Sequence, residues 1–461
     1  MIAAAGLVIA GMLLTMVGPL TFGKTAWALP DDLWGTLTAA QRLVHLDIGG
    51  LYTQPTGLIA FPGAALILIP PVALMDATGL PLALQAVHNP HPVSWLIAGP
   101  YEIALSAVVL FATDSIAERQ CVPRPRRFLL AMAGAVAVWS VCIRWGHPED
   151  AVAVGLLLYG IQALADDRPG RSGWLTGAAI AVQPLVLLAL PVIAVAVWRQ
   201  SPDGGPRRLT AFTIRAAIPA VVMVGAAAAA NWHATVTALT SQPNFPAIDH
   251  PTPWTSLAPH LAGGGVAAGP GRILAIVFAC GCAAVFAFSR GYGDDPLTDL
   301  LWWVAVALAL RCVFESVMVA YYVWPALAVA LVAASECRSR FLPVCIAAIA
   351  VTLAAQLDWR GAWGWWALMV AGLAATLYLS RRSQPALVPR PLASGAPLRA
   401  GALRAGDDEI LPEAEGGQRR CVHADREADA GRDGGGVDIE GEPAGRVLFL
   451  LFLQLLQRPG Q

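Results

Sequence analysis

Three short stretches of the chain carry the residue types that do chemistry. The first is acidic: Asp31-Asp32-Leu33-Trp34, then Ala39-Ala40-Gln41-Arg42-Leu43, then Asp47-Ile48-Gly49-Gly50-Leu51-Tyr52. A carboxylate beside a membrane can take the proton of an attacking hydroxyl, or hold a divalent cation against a lipid phosphate. The competing reading is a solvated acidic N-cap ahead of a helix over 33–44. The second stretch, Arg144-Trp145-Gly146-His147-Pro148-Glu149-Asp150, packs a cation, an imidazole and two carboxylates into one turn. Pro148 and the two acids suit a helix start, where a missing N–H costs nothing and negative charge meets the positive end of the helix. Arg144 and His147 are not needed for that purpose and suit a phosphate. The third is Arg311-Cys312-Val313-Phe314-Glu315, followed by Tyr321-Tyr322. Arg311 and Glu315 lie one turn apart and can neutralise each other. Ionisable groups at membrane depth nevertheless mark functional sites by default, and Glu102, midway along another apolar run, falls under the same rule.

The elements that position these residues follow from composition. The chain is 57% hydrophobic and 13% charged, with a mean hydropathy of +0.60, whereas soluble chains are about 45–50% apolar and about 25% charged. A formal net charge of −1 leaves no basic surface to neutralise the phosphates of a duplex, which excludes nucleic-acid binding. No cysteine stands in a zinc-ligand spacing with histidine.

Apolar runs of the length needed to cross a bilayer, about 20 residues, lie at 2–22, 57–76, 93–113, 128–145, 151–165, 173–197, 212–231, 272–289, 297–313, 317–335, 342–357 and 363–380. They predict an all-α, polytopic membrane protein of about 11–13 transmembrane helices. The transmembrane domain is expected over 1–380. A low-complexity tail is expected over 381–461, because its arginine, glycine, alanine, proline and acids cannot bury enough apolar surface to offset the entropy of ordering.

Arginines cluster in 114–127, 166–172, 198–211 and 336–341, which the bias of basic residues places on the cytoplasmic side. The loops 23–56, 146–150, 232–271 and 358–362 then face outward, with His45, His147, His233, His250 and His260 in them, and His88 and His91 stand at the outward-facing end of 57–92. Two runs resist simple alternation. Both ends of 173–197 carry cytoplasmic arginines, which predicts two short helices turning near Gln183-Pro184. Residues 57–92 must start and finish outside, as a hairpin or a re-entrant element broken around Pro70-Pro71.

The order of motifs resembles bacterial membrane glycosyltransferases of the GT-C superfamily, near family 87 and the actinobacterial alpha-mannosyltransferase-like proteins. The resembling pieces begin with Asp32 ahead of Ala39-Ala40, Gly50-Leu51-Tyr52, and Phe61-Pro62 entering an apolar helix. Gly146-His147-Pro148-Glu149-Asp150 follows, then Gly177 through Gln183-Pro184, Pro251-Thr252-Pro253-Trp254, and Phe314-Glu315 with Tyr321-Tyr322. Together they span about residues 1–380.

The resemblance implies a polyprenyl-phosphate sugar donor and transfer, with mannose as the expected sugar, to an envelope glycan or glycolipid. The reaction would run on the outer face of the plasma membrane. The resemblance implies an acid of the first outer loop as the catalytic residue. That role is carried to Asp32, with Asp31 and Asp47 open as alternatives. The expected substrate-binding set is Arg144, His147, Glu149, Gln183, Trp254, Arg311, Glu315, Tyr321 and Tyr322. Arg144 and Arg311, with a divalent cation such as Mg2+ or Mn2+, would hold the leaving phosphate, and aromatic rings would stack on sugars. The rival expectation is a transporter or flippase for a lipid-linked or small anionic solute, which calls for broken helices and paired polar groups at mid-membrane.

The sidedness has a direct check. Cysteines introduced at 198–211 should resist a membrane-impermeant thiol reagent in intact cells, and those introduced at 241–247 should react. The reverse pattern would invert the assignment.

Overall fold

The computed structural model describes residues 1–22, 30–53, 58, 60–82, 93–200, 205–289, 296–357, 361 and 363–381, except the side chains of 17–22, 31 and 262. The tail assigned to 381–461 lies outside the described residues beyond Arg381, as does 83–92.

The architecture is α-helical. Helix α1 (Ile2–Phe22) is followed by α2 (Asp31–Val44), the short pair α3 (Pro62–Leu66) and α4 (Ile69–Ala77), then α5 (Trp95–Leu105) and α6 (Ala107–Arg119). Helix α7 (Arg124–Trp139) runs into a π-helical turn at Ser140–Arg144 and on to α8 (Pro148–Ala165). Next come α9 (Pro169–Val182), a 3-10 turn at Pro184–Leu188, α10 (Leu190–Arg199), α11 (Gly205–Ala230) and α12 (Trp232–Thr240). After strand β1 (His250–Pro251) the chain forms α13 (Gly271–Phe288) and α14 (Pro296–Phe314). Strand β2 (Val317–Met318), a 3-10 turn at Ala320–Val323, α15 (Trp324–Ala334), α16 (Phe341–Ala354) and α17 (Gly364–Ser380) complete it. Among the described residues, five helices are long and apolar enough to cross a membrane: Trp95–Arg119, Arg124–Arg144, Gly205–Ala230, Gly271–Phe288 and Pro296–Phe314. The chain is thus an α-helical membrane protein.

Both irregular regions expected from the arginine pattern are broken. The helix ends at Val182 and resumes at Leu190, with Gln183 extended at φ −140° and ψ 109°. In 57–76 the break falls at Ile67-Leu68, just ahead of Pro70-Pro71. Prolines are tolerated in a first helical turn, where no N–H is required, so they open α4 instead of sitting in the kink. The run 317–335, expected as one helix, differs. It opens with β2, paired antiparallel with β1 (His250 opposite Met318, Pro251 opposite Val317), passes through the 3-10 turn at Ala320–Val323, and α15 begins only at Trp324 with Pro325 in its first turn.

The core is built on small residues. Helix α9 lies between α8 and α11, and Gly173 and Gly177, one turn apart, let the α11 backbone approach. A Cβ on Gly177 would stand 2.6 Å from the carbonyl oxygen of Ala216, and one on Gly173 2.7 Å from that of Phe212. Helices in lipid gain little from hydrophobic association with each other, so close backbone packing of this kind holds them together. The outward faces are apolar in turn: α11 exposes Ile214, Val221 and Val222, and α13 exposes Ile273, Ile276, Val277 and Phe278.

Gly177→Ala should therefore destabilise by roughly 1–3 kcal/mol through overpacking. Gly225→Ala, on the same α11 but with open space around it, should be neutral or stabilising by up to about 1 kcal/mol. Thermal unfolding of the detergent-purified protein compares the two, and equal stability would remove the packing argument.

Candidate active site

Helix α2 starts after Pro30, which fixes the entry of the chain but offers no side-chain cap. Asp32, in the first turn, does not turn back to cap the helix. Its Oδ2 lies 3.0 Å from Nε2 of His147. Gly146 makes that meeting possible. It sits at φ +69°, and a Cβ there would come within 2.7–2.8 Å of Leu33 and Pro30, so the turn before α8 rests directly on the start of α2. His147 is the N-cap residue of α8. Its Nδ1 lies 2.7 Å from Oε1 of Glu149, and its ring stacks on Tyr321 with centroids 4.0 Å apart.

An imidazole facing carboxylates through both nitrogens satisfies both contacts only as the doubly protonated cation. Burial alone would lower the pKa of His147, but the charges and hydrogen bonds of Glu149 and Asp32 outweigh it and hold the pKa well above the usual histidine range. Burial would likewise raise the pKa of Asp32, and the His147 hydrogen bond and charge bring it below the ordinary carboxylate value. Asp32 is thus ionised while its side chain is still 46% exposed. Asp249 behaves in the opposite way. Burial, then repulsion by Asp32, push it up to about 6.

The His147–Glu149 pair forms one wall of a cavity of about 200 Å3. Gln183 lines the cavity where α9 breaks, and its Nε2 donates to Oδ1 of Asp150 at 2.5 Å. On the far side Glu315 is bracketed by two arginines. Nε of Arg311 lies 3.5 Å from its Oε2, and Nε of Arg272 lies 3.3 Å from its Oε1. Arg272 also donates to Gln242 at 2.8 Å. The Arg311 guanidinium lies over the Tyr322 ring, 3.5 Å from its centroid. The remaining lining, including Leu185, Leu187, Leu188, Ala275 and Ile276, is apolar. Leu187 and Ile276 are 41% and 51% exposed on the outer surface of the helices.

Of the residues singled out in the sequence, His147, Glu149, Gln183, Arg311, Glu315 and Tyr321 line this one cavity. Asp32 stands one contact behind its rim and Tyr322 behind Arg311. The others lie elsewhere. Arg144 donates to the carbonyl of Gln356 at 3.3 Å and does not reach the cavity, because the π-helical turn carries it toward the end of α16. Asp47 builds its own turn, accepting from the Gly50 amide at 2.9 Å and from Arg42 at 3.0 Å. Trp254 donates to the Val313 carbonyl at 2.7 Å and ties the 241–270 segment to α14. The side chain of Asp31 lies outside the described residues.

Sequence reasoning passed over Arg272, Gln242 and Asp249. Arg272 did carry a signal: it opens a span on the side otherwise poor in arginine. Among the described residues, no group of three or more His, Cys, Asp or Glu side chains is placed to hold a metal ion.

The linked pair predicts a stability profile. His147 has a raised folded pKa, so its contribution is full below about 6.5 and is lost as pH rises through the folded value. Asp32 has a lowered one, so its contribution is full above about 3.9 and is lost as pH falls through the folded value. His147→Gln should cost about 3–5 kcal/mol at neutral pH, as breaking a buried ion pair does, and should flatten the alkaline limb of thermal stability. An alkaline limb unchanged in this variant would remove the imidazolium from the site.

No protein-family model and no curated protein matches this chain.

Proposed function

We propose that the protein is a glycosyltransferase of the plasma membrane, multi-pass and with its site on the outer face. It moves a sugar, with mannose as the first candidate, from a polyprenyl-phosphate donor to an envelope glycan or glycolipid. The observation that carries this reading is the mixed lining of the cavity: Arg272, Arg311 and the His147 imidazolium share it with apolar side chains, of which Leu187 and Ile276 are also exposed on the helix surface. A phosphate suits the cationic groups through charge-assisted hydrogen bonds. An isoprenoid chain suits the apolar ones, since it can lie against those side chains without leaving the hydrocarbon. A nucleotide-sugar donor would have no use for the apolar lining.

In this reading the acceptor hydroxyl approaches Asp32 at the partly exposed rim. Asp32 takes its proton as the oxygen bonds to the anomeric carbon. The bond from that carbon to the phosphate oxygen breaks, its electron pair stays on the lipid phosphate, and the anomeric configuration inverts. The arginines stabilise the charge that develops on the phosphate. His147 holds Asp32 ionised and oriented, and the exposed edge of the carboxylate releases the proton to water.

Asp32→Asn keeps size and most hydrogen bonding but removes the base. Transfer from a radiolabelled polyprenyl-phosphate sugar in isolated membranes should fall roughly a hundred- to ten-thousand-fold, with protein abundance unchanged. Asp47→Asn, whose carboxylate only shapes a turn, should stay within a few-fold of the parent, as should Asp31→Asn. Near-normal transfer by Asp32→Asn, with Asp31→Asn dead, would move the base by one residue. Full activity in all three would favour the transporter or flippase, for which the break at Gln183 between α9 and α10 is the supporting observation.

A further inference from the structure

Beneath His147 lies a set of oxygens that the mechanism above does not use. Glu102 on α5 is 1% exposed, and neither of its carboxylate oxygens has a hydrogen-bond partner among the described residues. Oε2 of Glu149, Oδ2 of Asp150 and Oγ of Ser140 are in the same condition. These groups share one neighbourhood. Helix α5 packs against both the π-helical turn and α8. Three elements bring them together: α5, the π-helical turn and the first turn of α8. A π-helical turn is itself a rare feature that recurs at functional sites.

A carboxylate with no partner on either oxygen cannot stay ionised there. Removing an unpaired anion from water costs more than a fold can offset, and such a group takes up a proton or a cation instead. The cation is disfavoured, because no three of these ligands are placed around one point. His147 faces Asp32 and Glu149, and Arg311 faces Glu315; neither cation hydrogen-bonds to a Glu102 oxygen among the described residues.

The other neighbours of α5 do not help. Helix α1 contains no titratable side chain. On α4, Asp76 is paired with His45. On α6 the charged residues Asp114, Glu118 and Arg119 lie three or more turns along the chain from Glu102. Tyr321 is stacked on the far face of His147 and brings no charge.

We propose that Glu102, Glu149 and Asp150 form a buried proton-binding site under His147, and that the proton held there fixes the His147–Glu149 contact and so positions His147 against Asp32. Glu102 is the member that keeps the proton, since it alone has no partner on either oxygen. Glu149 is left free to face the imidazolium through Oε1, and Asp150 to accept from Gln183. Glu102 is then a positioning residue, acting on Asp32 through Glu149 and His147. The consequence for transfer rests on the function proposed above, whereas the proton site does not.

The test is infrared difference spectroscopy on the purified full-length protein, read in the carbonyl stretch of a protonated carboxylic acid and its shift in D2O. It is run at alkaline pH, above the value near 6 at which Asp249 gives up its proton. The parent should show the band, Glu102→Gln should lose it, and Glu102→Asp should retain it, displaced. Absence of the band in the parent, or its persistence unchanged in Glu102→Gln, would overturn the proposal whether or not the protein transfers sugar. The amide preserves shape and supplies a fixed donor, so Glu102→Gln should fold. It cannot exchange a proton, so the alkaline limb of stability set by His147 should shift in Glu102→Gln and return toward the parent in Glu102→Asp. A limb that does not move would leave Glu102 with a packing role only and overturn the positioning half.

Discussion

The double engagement of His147 is the constraint on which the rest of the site depends. One imidazolium holds Asp32 from α2 and Glu149 from α8 on opposite nitrogens, and Tyr321 closes its face. Each partner belongs to a different part of the chain, so three segments are fixed by one ring. The inner half of the arrangement behaves as buried ion pairs do: taking away Glu149, 3% exposed, would leave a charge in low dielectric instead of a weaker contact, whereas Asp32 is 46% exposed and water shares its side of the pair. That explains why the backbone around it tolerates an unusual conformation. Gly146 adopts positive φ and packs against Pro30 and Leu33, where any side chain would hold the turn away from α2 and separate Asp32 from its partner.

The bilayer imposes the second constraint, and it acts on the backbone. Inside hydrocarbon a helix may stop only where protein or a water-lined cavity satisfies its freed amides and carbonyls. Three interruptions fall next to apolar helices: the π-helical turn before Trp145, the extended Gln183 with its 3-10 turn, and the stretch from Glu315 to Val323. All three border the same cavity or the residues that line it. The irregular backbone is therefore concentrated where polar side chains are needed, and the apolar faces of α11 and α13 remain regular helix. The 241–270 segment serves the same end. Thr252 donates to the carbonyls of Glu315 and Ser316 at 2.7 and 3.1 Å, satisfying backbone that the end of α14 leaves open.

Helices were legible in the sequence because apolar length and the placement of arginine and proline are local signals. The breaks at Gln183 and ahead of Pro70-Pro71 were legible for the same reason, since an arginine count fixes parity and parity demands a turn. The strand at Val317–Met318 was not, because its partner lies sixty-odd residues away in a loop and its own residues are as apolar as the helix that follows. Six of the residues singled out in the sequence line one cavity, as expected when polar groups are scarce and have few places to gather. Direction was the missing information. Arg144 is two residues from Gly146 and three from His147, yet the extra residue of the π-helical turn rotates it toward Gln356. No composition or spacing encodes that rotation. Arg272 was overlooked because a terminal arginine normally reads as an interfacial anchor.

The two arginines at Glu315 bear on the anion site proposed for this cavity. Arg272 and Arg311 both approach Glu315 through Nε, and Arg272 gives a terminal nitrogen to Gln242. No hydrogen bond engages the terminal nitrogens of Arg311 among the described residues, and its plane is fixed against Tyr322. A guanidinium carries five donors in a rigid fork, so pairing through Nε leaves the outer edge for a ligand. One carboxylate shared by two guanidiniums also leaves a single positive charge in excess. Glu315 thus lowers the cost of burying the arginines without neutralising them. A phosphodiester, with one negative charge, would complete the balance that the protein leaves open.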